Sequence, residues 1–407
     1  MNSTPSTHER TARAAGGGAR RRLAAAVIGL ALACAACELV ARALTRVEDG
    51  RERLLGVPLV PLLPDEDELA ALIAAVPPRD APGAYFLEDD ELGWTLGPSA
   101  NTGIYTSNSQ GLRSAPERVY PSAKPTDRTR LITFGDSFTH GDEVELAQAW
   151  QTQLEALAPQ LEALNFGVPA YGLDQAYLRA KRELPRFEAH YALLCIWPED
   201  LGRALNVYRF LMTSGAEYMQ KPRLTLDARG ALELRVDDWV GSRRLLLEAL
   251  ARPDALAGRL LEFERWRQPG DLERPAWFAL RSLRALASLQ RKLRARELRR
   301  ATALDLDDEA VRLSSAIARA FADAARASGA EPVIVLLPQR EFLASHPGGE
   351  RALPIVARLR AEGLRVVDVS PAFAAGAQSE LFLPSGHYTA AGNAAVARAL
   401  AAEFAPR

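Results

Sequence analysis

From residue 130 onward, short apolar runs alternate with stretches whose apolar residues recur at helical spacing. The runs Arg130–Phe134, Leu161–Asn165, Tyr191–Trp197, Pro332–Leu337 and Leu364–Val369 are largely apolar, as strands covered on both faces are. Between them, the spacing predicts helices around Ala147–Leu157, Gln175–Leu184, Glu309–Ala327, Arg351–Ala361 and Ala390–Phe404. This alternation predicts an α/β domain built on a parallel five-stranded sheet. The interval between the third and fourth runs is too long for one crossover, so residues ~206–305 read as a mostly helical insertion. Within it, Trp277, Leu280, Leu283, Leu286, Leu289 and Leu293 recur at near-helical spacing among Arg281, Arg284, Arg291, Lys292, Arg294 and Arg296. That stretch is either an amphipathic helix with a solvated basic face or a surface that rests on anionic lipid.

The strongest apolar stretch lies near the N-terminus, from Leu23 to Leu44, behind Arg20, Arg21 and Arg22. Its 22 residues match the ~20 that a helix needs to cross a bilayer. Glu38 and Arg42, toward its far end, are placed to reach the interface by snorkelling. The uninterrupted core, Leu23–Cys37, is shorter, so a cleaved signal or lipoprotein signal competes with a signal anchor, and a buried apolar helix is a third reading. The expected organisation is a cytoplasmic tail over 1–22 and a transmembrane signal anchor over 23–44. A linker and lead-in follow over 45–128, rich in Pro, Asp, Glu and Gly, and then an extracytoplasmic (periplasmic) domain over 129–405.

Charge and composition narrow the function classes. With 50 Lys+Arg against 51 Asp+Glu the formal net charge is −1, which excludes a strongly basic nucleic-acid binder. At 48% hydrophobic and 25% charged the chain is neither disordered overall nor a polytopic membrane protein. Its three cysteines cannot make a disulfide framework, and Cys34 and Cys37 read as small residues of the apolar stretch. No metal site and no organic cofactor are expected.

Three segments carry candidate chemistry. In LITFGDSFTHGDEV, 131–144, an apolar strand runs into Gly135-Asp136-Ser137. A serine at the carboxyl end of a parallel strand lies where α/β sheets place ligands. If a helix starts there, the Ser137 amide sits at its positive end, suited to stabilising an oxyanion. A serine after a strand also serves simply as a helix cap. In LNFGVPAYGLDQAYL, 164–178, Gly167 follows a strand, where it either lets a backbone N–H approach a substrate carbonyl or only makes a turn. In LFLPSGHYTAAGN, 381–393, His387 lies in a loop before the C-terminal helix, and it is the one of five histidines placed to return to the sheet edge.

The order of these segments resembles the SGNH (GDSL-type) hydrolase family, over about 130–405 apart from the insertion. GDSFTHG looks like its nucleophile block, NFGVPAYG like its second block and GHYTAAGN like its histidine block. The stretch Tyr105–Arg113, the apolar N-terminal segment and the Lys221-Pro222 region are similar to membrane-anchored bacterial members. The resemblance implies a three-layer α/β/α, flavodoxin-like fold. It implies Ser137 as nucleophile and oxyanion donor, Gly167 as second donor, and His387 as the base that takes and returns the proton.

This sequence departs from the family pattern twice. The third block usually reads Gly-x-Asn-Asp, its Asn a third oxyanion donor; here Trp197-Pro198-Glu199-Asp200 stands in its place, with Asn206 as a possible substitute. The Asp usually two or three residues before the His is replaced by Ser385 and Pro384. His387 is then oriented by Ser385, by a carbonyl, or by an acid from elsewhere: Asp200, Glu199 or Asp368, of which Asp200 is the one carried forward. The leading expectation is a membrane-tethered serine ester hydrolase acting on O-acyl or O-acetyl esters of a small molecule or glycan. The alternatives are an O-acyltransferase of envelope polysaccharide and a catalytically degenerate glycan-binding member.

Overall fold

The computed structural model describes residues 7–48, 51–79, 81–212, 218–256, 259–304, 308–345, 353–373 and 378–404. The chain divides into two compact units. One comprises Met1–Asp65 with Gln268–Leu293, the other Glu66–Arg267 with Arg294–Arg407.

In the first unit, helix α1 spans Thr7–Leu44. Its part Arg22–Leu44 is the one helical stretch among the described residues long and apolar enough to cross a membrane. Leu23, Val27, Ile28, Leu30, Leu32 and Val40 all lie exposed on it, and only near its end is Ala41 buried. Glu38 caps the N-terminus of the helix Arg281–Leu304. Its Oε2 accepts from the Ser282 N–H at 2.9 Å and the Ser282 hydroxyl at 2.8 Å, and its Oε1 accepts from the Arg281 N–H at 3.1 Å. These are donors that a helix start leaves without intrahelical partners. Leu283, Leu286, Leu289 and Leu293 of that helix remain exposed. Residues 45–58, expected as linker, form three short antiparallel strands, Thr45–Glu48, Arg51–Leu54 and Val57–Pro58.

The second unit holds the sheet. Its strands are β1 Thr129–Phe134, β2 Leu161–Asn165, β3 Tyr191–Ile196, β4 Glu331–Leu336 and β5 Val366–Asp368. They pair in the order β5-β4-β3-β1-β2, all parallel. The flanking helices are α2 Ser137–His140, α3 Trp150–Leu157, α4 Leu173–Glu183, α5 Glu309–Ala327, α6 Pro354–Ala361 and α7 Ala390–Phe404.

Successive strand side chains point to opposite faces, and here both faces are buried. Ile132, Phe134, Leu164 and Leu194 face α4, α5 and α6 in one apolar core. Leu131, Ala163, Leu193 and Cys195 face α3 and α7 in the other. That is why the strands read as continuous apolar runs, and the result is the three-layer α/β/α architecture with five parallel strands. Parallel strands put all their carboxyl ends on one edge, so the loops after β1, β2 and β3 gather there. The mostly helical stretch after β3 also contains a hairpin, Arg223–Leu226 with Leu232–Arg235.

Candidate active site

The chain leaves β1 through Gly135 and turns at once into α2. Asp136 is its N-cap, accepting from the Phe138 N–H at 2.9 Å, and Gly141 ends it in the left-handed region at φ 77°. The helix expected after the serine is therefore a single turn, carrying only a small part of a full helix dipole. Ser137 is its first residue, and its N–H has no intrahelical acceptor. Gly135 is required by the turn itself, since a Cβ there would lie 2.1 Å from Thr139 Oγ1.

His387 reaches this turn from the loop before α7. Its Nε2 stands 3.0 Å from Ser137 Oγ. Its ring packs on Phe138, with centroids 5.1 Å apart, and Phe138 in turn touches Trp197 and Tyr388. On the other side of the ring, Nδ1 stands 3.0 Å from Glu143 Oε1. Glu143 Oε2 accepts from the Ser385 hydroxyl at 2.6 Å. A proton on Nδ1 donates to Glu143 and leaves Nε2 to accept from Ser137, so the three side chains form one hydrogen-bonded line.

Glu143 was not among the acids considered from the sequence. It follows α2 by a tight return in which Gly141 and Asp142 N–H groups both reach the Ser137 carbonyl at 2.9 Å. Glu143 itself has φ 61°, uncommon for a residue with a side chain and held only where surroundings over-determine it. Two residues of the lead-in hold it there. The Tyr105 hydroxyl accepts from the Glu143 N–H at 2.9 Å and donates to Asp142. Arg113 donates to the carbonyls of His140 (3.0 Å), Gly141 and Val144, gripping the loop on both sides of the acid. Burial pushes the Glu143 carboxyl up, but hydrogen bonds from Ser385 and His387 outweigh it and hold the pKa below the usual range. The available signal was the run Gly141-Asp142-Glu143, an acidic pair one turn past the serine.

Asp200, the acid expected to orient His387, lies elsewhere. Its Oδ2 accepts from the Trp197 N–H at 3.0 Å and its Oδ1 from Arg203 at 3.4 Å; the same guanidinium nitrogen donates to Asp136 at 3.1 Å. The expectation fails because Asp200 caps its own turn and pairs with Arg203 inside the protein, with no contact to His387. Burial, and next the charge of Asp136, push its pKa well above the ordinary value against the pull of Arg203. Asp368 caps the following turn through the Ser370 N–H at 2.9 Å. Glu199 precedes the short helix Asp200–Arg203 and makes no side-chain cap there.

The expected further oxyanion donors are also engaged. The Gly167 N–H donates to Asn165 Oδ1 at 2.9 Å, and the Asn206 amide donates to Tyr208 O and Glu264 Oε2, both at 2.9 Å. Gly167 is needed for packing: a Cβ would meet His140 N at 2.4 Å and the Thr139 carbonyl carbon at 2.7 Å. Gly167→Ala is therefore expected to cost about 1–3 kcal/mol of stability, read as a lower urea midpoint. A variant of unchanged midpoint and reduced turnover would instead return Gly167 to the oxyanion role.

No family model matches the chain, and no curated protein does. Among solved structures, it is similar to a member of the lipolytic protein G-D-S-L family from Veillonella parvula, at 12% identity and TM-score 0.32, over 68% of this chain and 97% of the other. It is also similar to LAE5, an alpha/beta hydrolase enzyme from the metagenome of Lake Arreo, at 14% identity and TM-score 0.32, over 67% of this chain and 94% of the other. A third similar structure is the lipase Lip_vut3 from a goat rumen metagenome, at 12% identity and TM-score 0.30, covering 69% and 99% of the two chains.

Proposed function

We propose that the protein is a serine ester hydrolase tethered to a membrane by α1, with its catalytic unit outside the cytoplasm. The observation that carries the chemistry is the line Ser137 Oγ, His387 Nε2 and Nδ1, Glu143 Oε1, with 3.0 Å at each junction. His387 accepts the Ser137 proton as Oγ attacks the ester carbonyl, and Glu143 stabilises the imidazolium that forms. The Ser137 N–H donates to the developing oxyanion. Collapse expels the alcohol, protonated by His387, and leaves an acyl group on Ser137. Water, deprotonated by the same ring, then releases the acid. The substrate class is an O-acyl or O-acetyl ester.

The tether rests on the exposed apolar surface of Arg22–Leu44, which a bilayer covers without leaving backbone groups unsatisfied. It rests also on Glu38, whose cap on the helix Arg281–Leu304 keeps a carboxylate hydrogen-bonded near the end of the span.

One experiment addresses both parts. A charged, membrane-impermeant fluorophosphonate applied to spheroplasts is expected to label the wild type and not Ser137→Ala. Labelling that appears only after lysis removes the extracytoplasmic placement. Absence of labelling in folded, lysed wild type removes the hydrolase reading.

A further inference from the structure

A cavity of about 570 Å³ adjoins the segment that carries the triad, with Asp142 in its wall. Phe86, Trp94, Pro169 and Met219 give it apolar sides, and Arg209 stands among them. Arg209 is only 7% exposed, and its guanidinium meets only the Met212 thioether among the described residues, at 3.9 Å. Its buried neighbours in the same unit differ. Arg203 pairs with Asp136 and Asp200, Arg223 with Glu309, and Arg179 donates to Thr95 and Gly111. The carboxylates of Glu199, Asp200 and Asp136 act on Arg209 only through space, and a buried guanidinium with no oxygen acceptor is costly, so its retention at a cavity wall calls for a ligand.

The carboxylates in the wall are committed to other donors. Asp142 accepts from the Tyr105 hydroxyl, and Glu88 accepts from the Arg243 N–H at 2.8 Å. Burial, and next the charge of Arg203, pull the Arg209 pKa down to about 10, which leaves it protonated at neutral pH.

We infer that this cavity binds a carboxylate borne by the substrate, with the Arg209 guanidinium on the carboxylate and the apolar walls on its carbon skeleton. This rests on the ester-hydrolase reading, for which it names the substrate class: a monoanionic ester. Two guanidinia, Arg209 and Arg243, and two carboxylates, Asp142 and Glu88, share the wall, so a monoanion adds less uncompensated charge there than a phosphate dianion would. Position agrees: Asp142 directly precedes Glu143, and Asp136, whose charge acts on Arg209, directly precedes Ser137. The carboxylate belongs either to a sugar acid in the alcohol part or to a dicarboxylic acyl chain.

The test is calorimetric titration of the full chain carrying Ser137→Ala, with two matched pairs. D-glucuronate is compared with D-glucose, and monomethyl glutarate with dimethyl glutarate. At least one anion is expected to bind tenfold or more tightly than its neutral twin, and the pair that shows it identifies the source. Arg209→Gln should abolish that gap, and Arg209→Lys should keep part of it. If the Gln variant does not fold, Arg209→Met against Arg209→Lys makes the same contrast. Equal binding of twins in both pairs, or a gap that survives in a folded Gln or Met variant, overturns the inference. Turnover of 4-nitrophenyl acetate by the wild type is measured separately. Its absence removes the hydrolase reading while leaving an Arg209-dependent carboxylate preference intact.

Discussion

Ser137→Ala is expected to lower kcat by about 10⁵–10⁶-fold, with His387→Ala nearly as damaging and the double variant scarcely worse, because the groups act as one unit. Among the described residues, the hydrogen-bond partner of His387 Nε2 is Ser137 Oγ at 3.0 Å. Ser137 is 4% exposed, and its side chain contributes one hydroxyl to the packing of a one-turn helix. Its loss should leave the melting temperature within a few degrees, as expected of about 1 kcal/mol. Single-turnover kinetics on a chromogenic ester supply the readout. Residual turnover within tenfold of wild type would place the nucleophile elsewhere, and strictly additive losses would deny the coupling.

Glu143→Gln is expected to lower kcat by about 10³–10⁴-fold with little change in KM, the loss that follows when an imidazole is left in the wrong tautomer. A glutamine amide nitrogen donates where the carboxylate accepts, so it opposes the Nδ1 proton that the Ser137–His387 contact requires. Asp200→Asn supplies the contrast. Asp200 faces Arg203 and the Trp197 N–H, and its carboxyl is already pushed toward the neutral form. An amide of the same size therefore removes little, and kcat should stay within about tenfold. Should Asp200→Asn be the more damaging of the two, the acid assigned by geometry is the wrong one. The pH profile is a second check. Glu143 has a depressed pKa, so it stays ionised above the ordinary glutamate range and loses its charge only as pH falls below it. Glu143→Gln should therefore remove no transition of kcat/KM above the carboxylate range.

The sheet was legible because its information is local. Strands buried on both faces must be apolar along their length, and the four longer strands begin and end within one residue of the predicted bounds, whereas the half-buried edge strand Val366–Asp368 is shorter than its predicted run. Helices α5 and α7 match their predicted ranges, since an amphipathic stripe repeats every turn and leaves many residues to agree. The one-turn α2 was not legible as such. Gly141 in the left-handed conformation ends it, and glycine at that spot reads equally as part of a longer helix start. The carboxylate cap on the helix Arg281–Leu304 was equally hidden, because Glu38 and Ser282 are 244 residues apart.

By itself, the sequence determined the α/β alternation, the serine at the carboxyl end of β1 and the histidine before α7. Each depends on residues that are neighbours in the chain, where pattern and turn chemistry act directly. Only the tertiary structure decided which acid meets His387, because that choice depends on a left-handed backbone at Glu143 held by Tyr105 and Arg113. It decided also that Asp200 faces Arg203, that the Gly167 N–H belongs to Asn165, and that the Arg209 guanidinium, among the described residues, has only the Met212 thioether as a hydrogen-bond partner. Hydrogen bonds and ion pairs form between whatever the fold brings within 3 Å, and the spacing of residues along the chain does not record that distance.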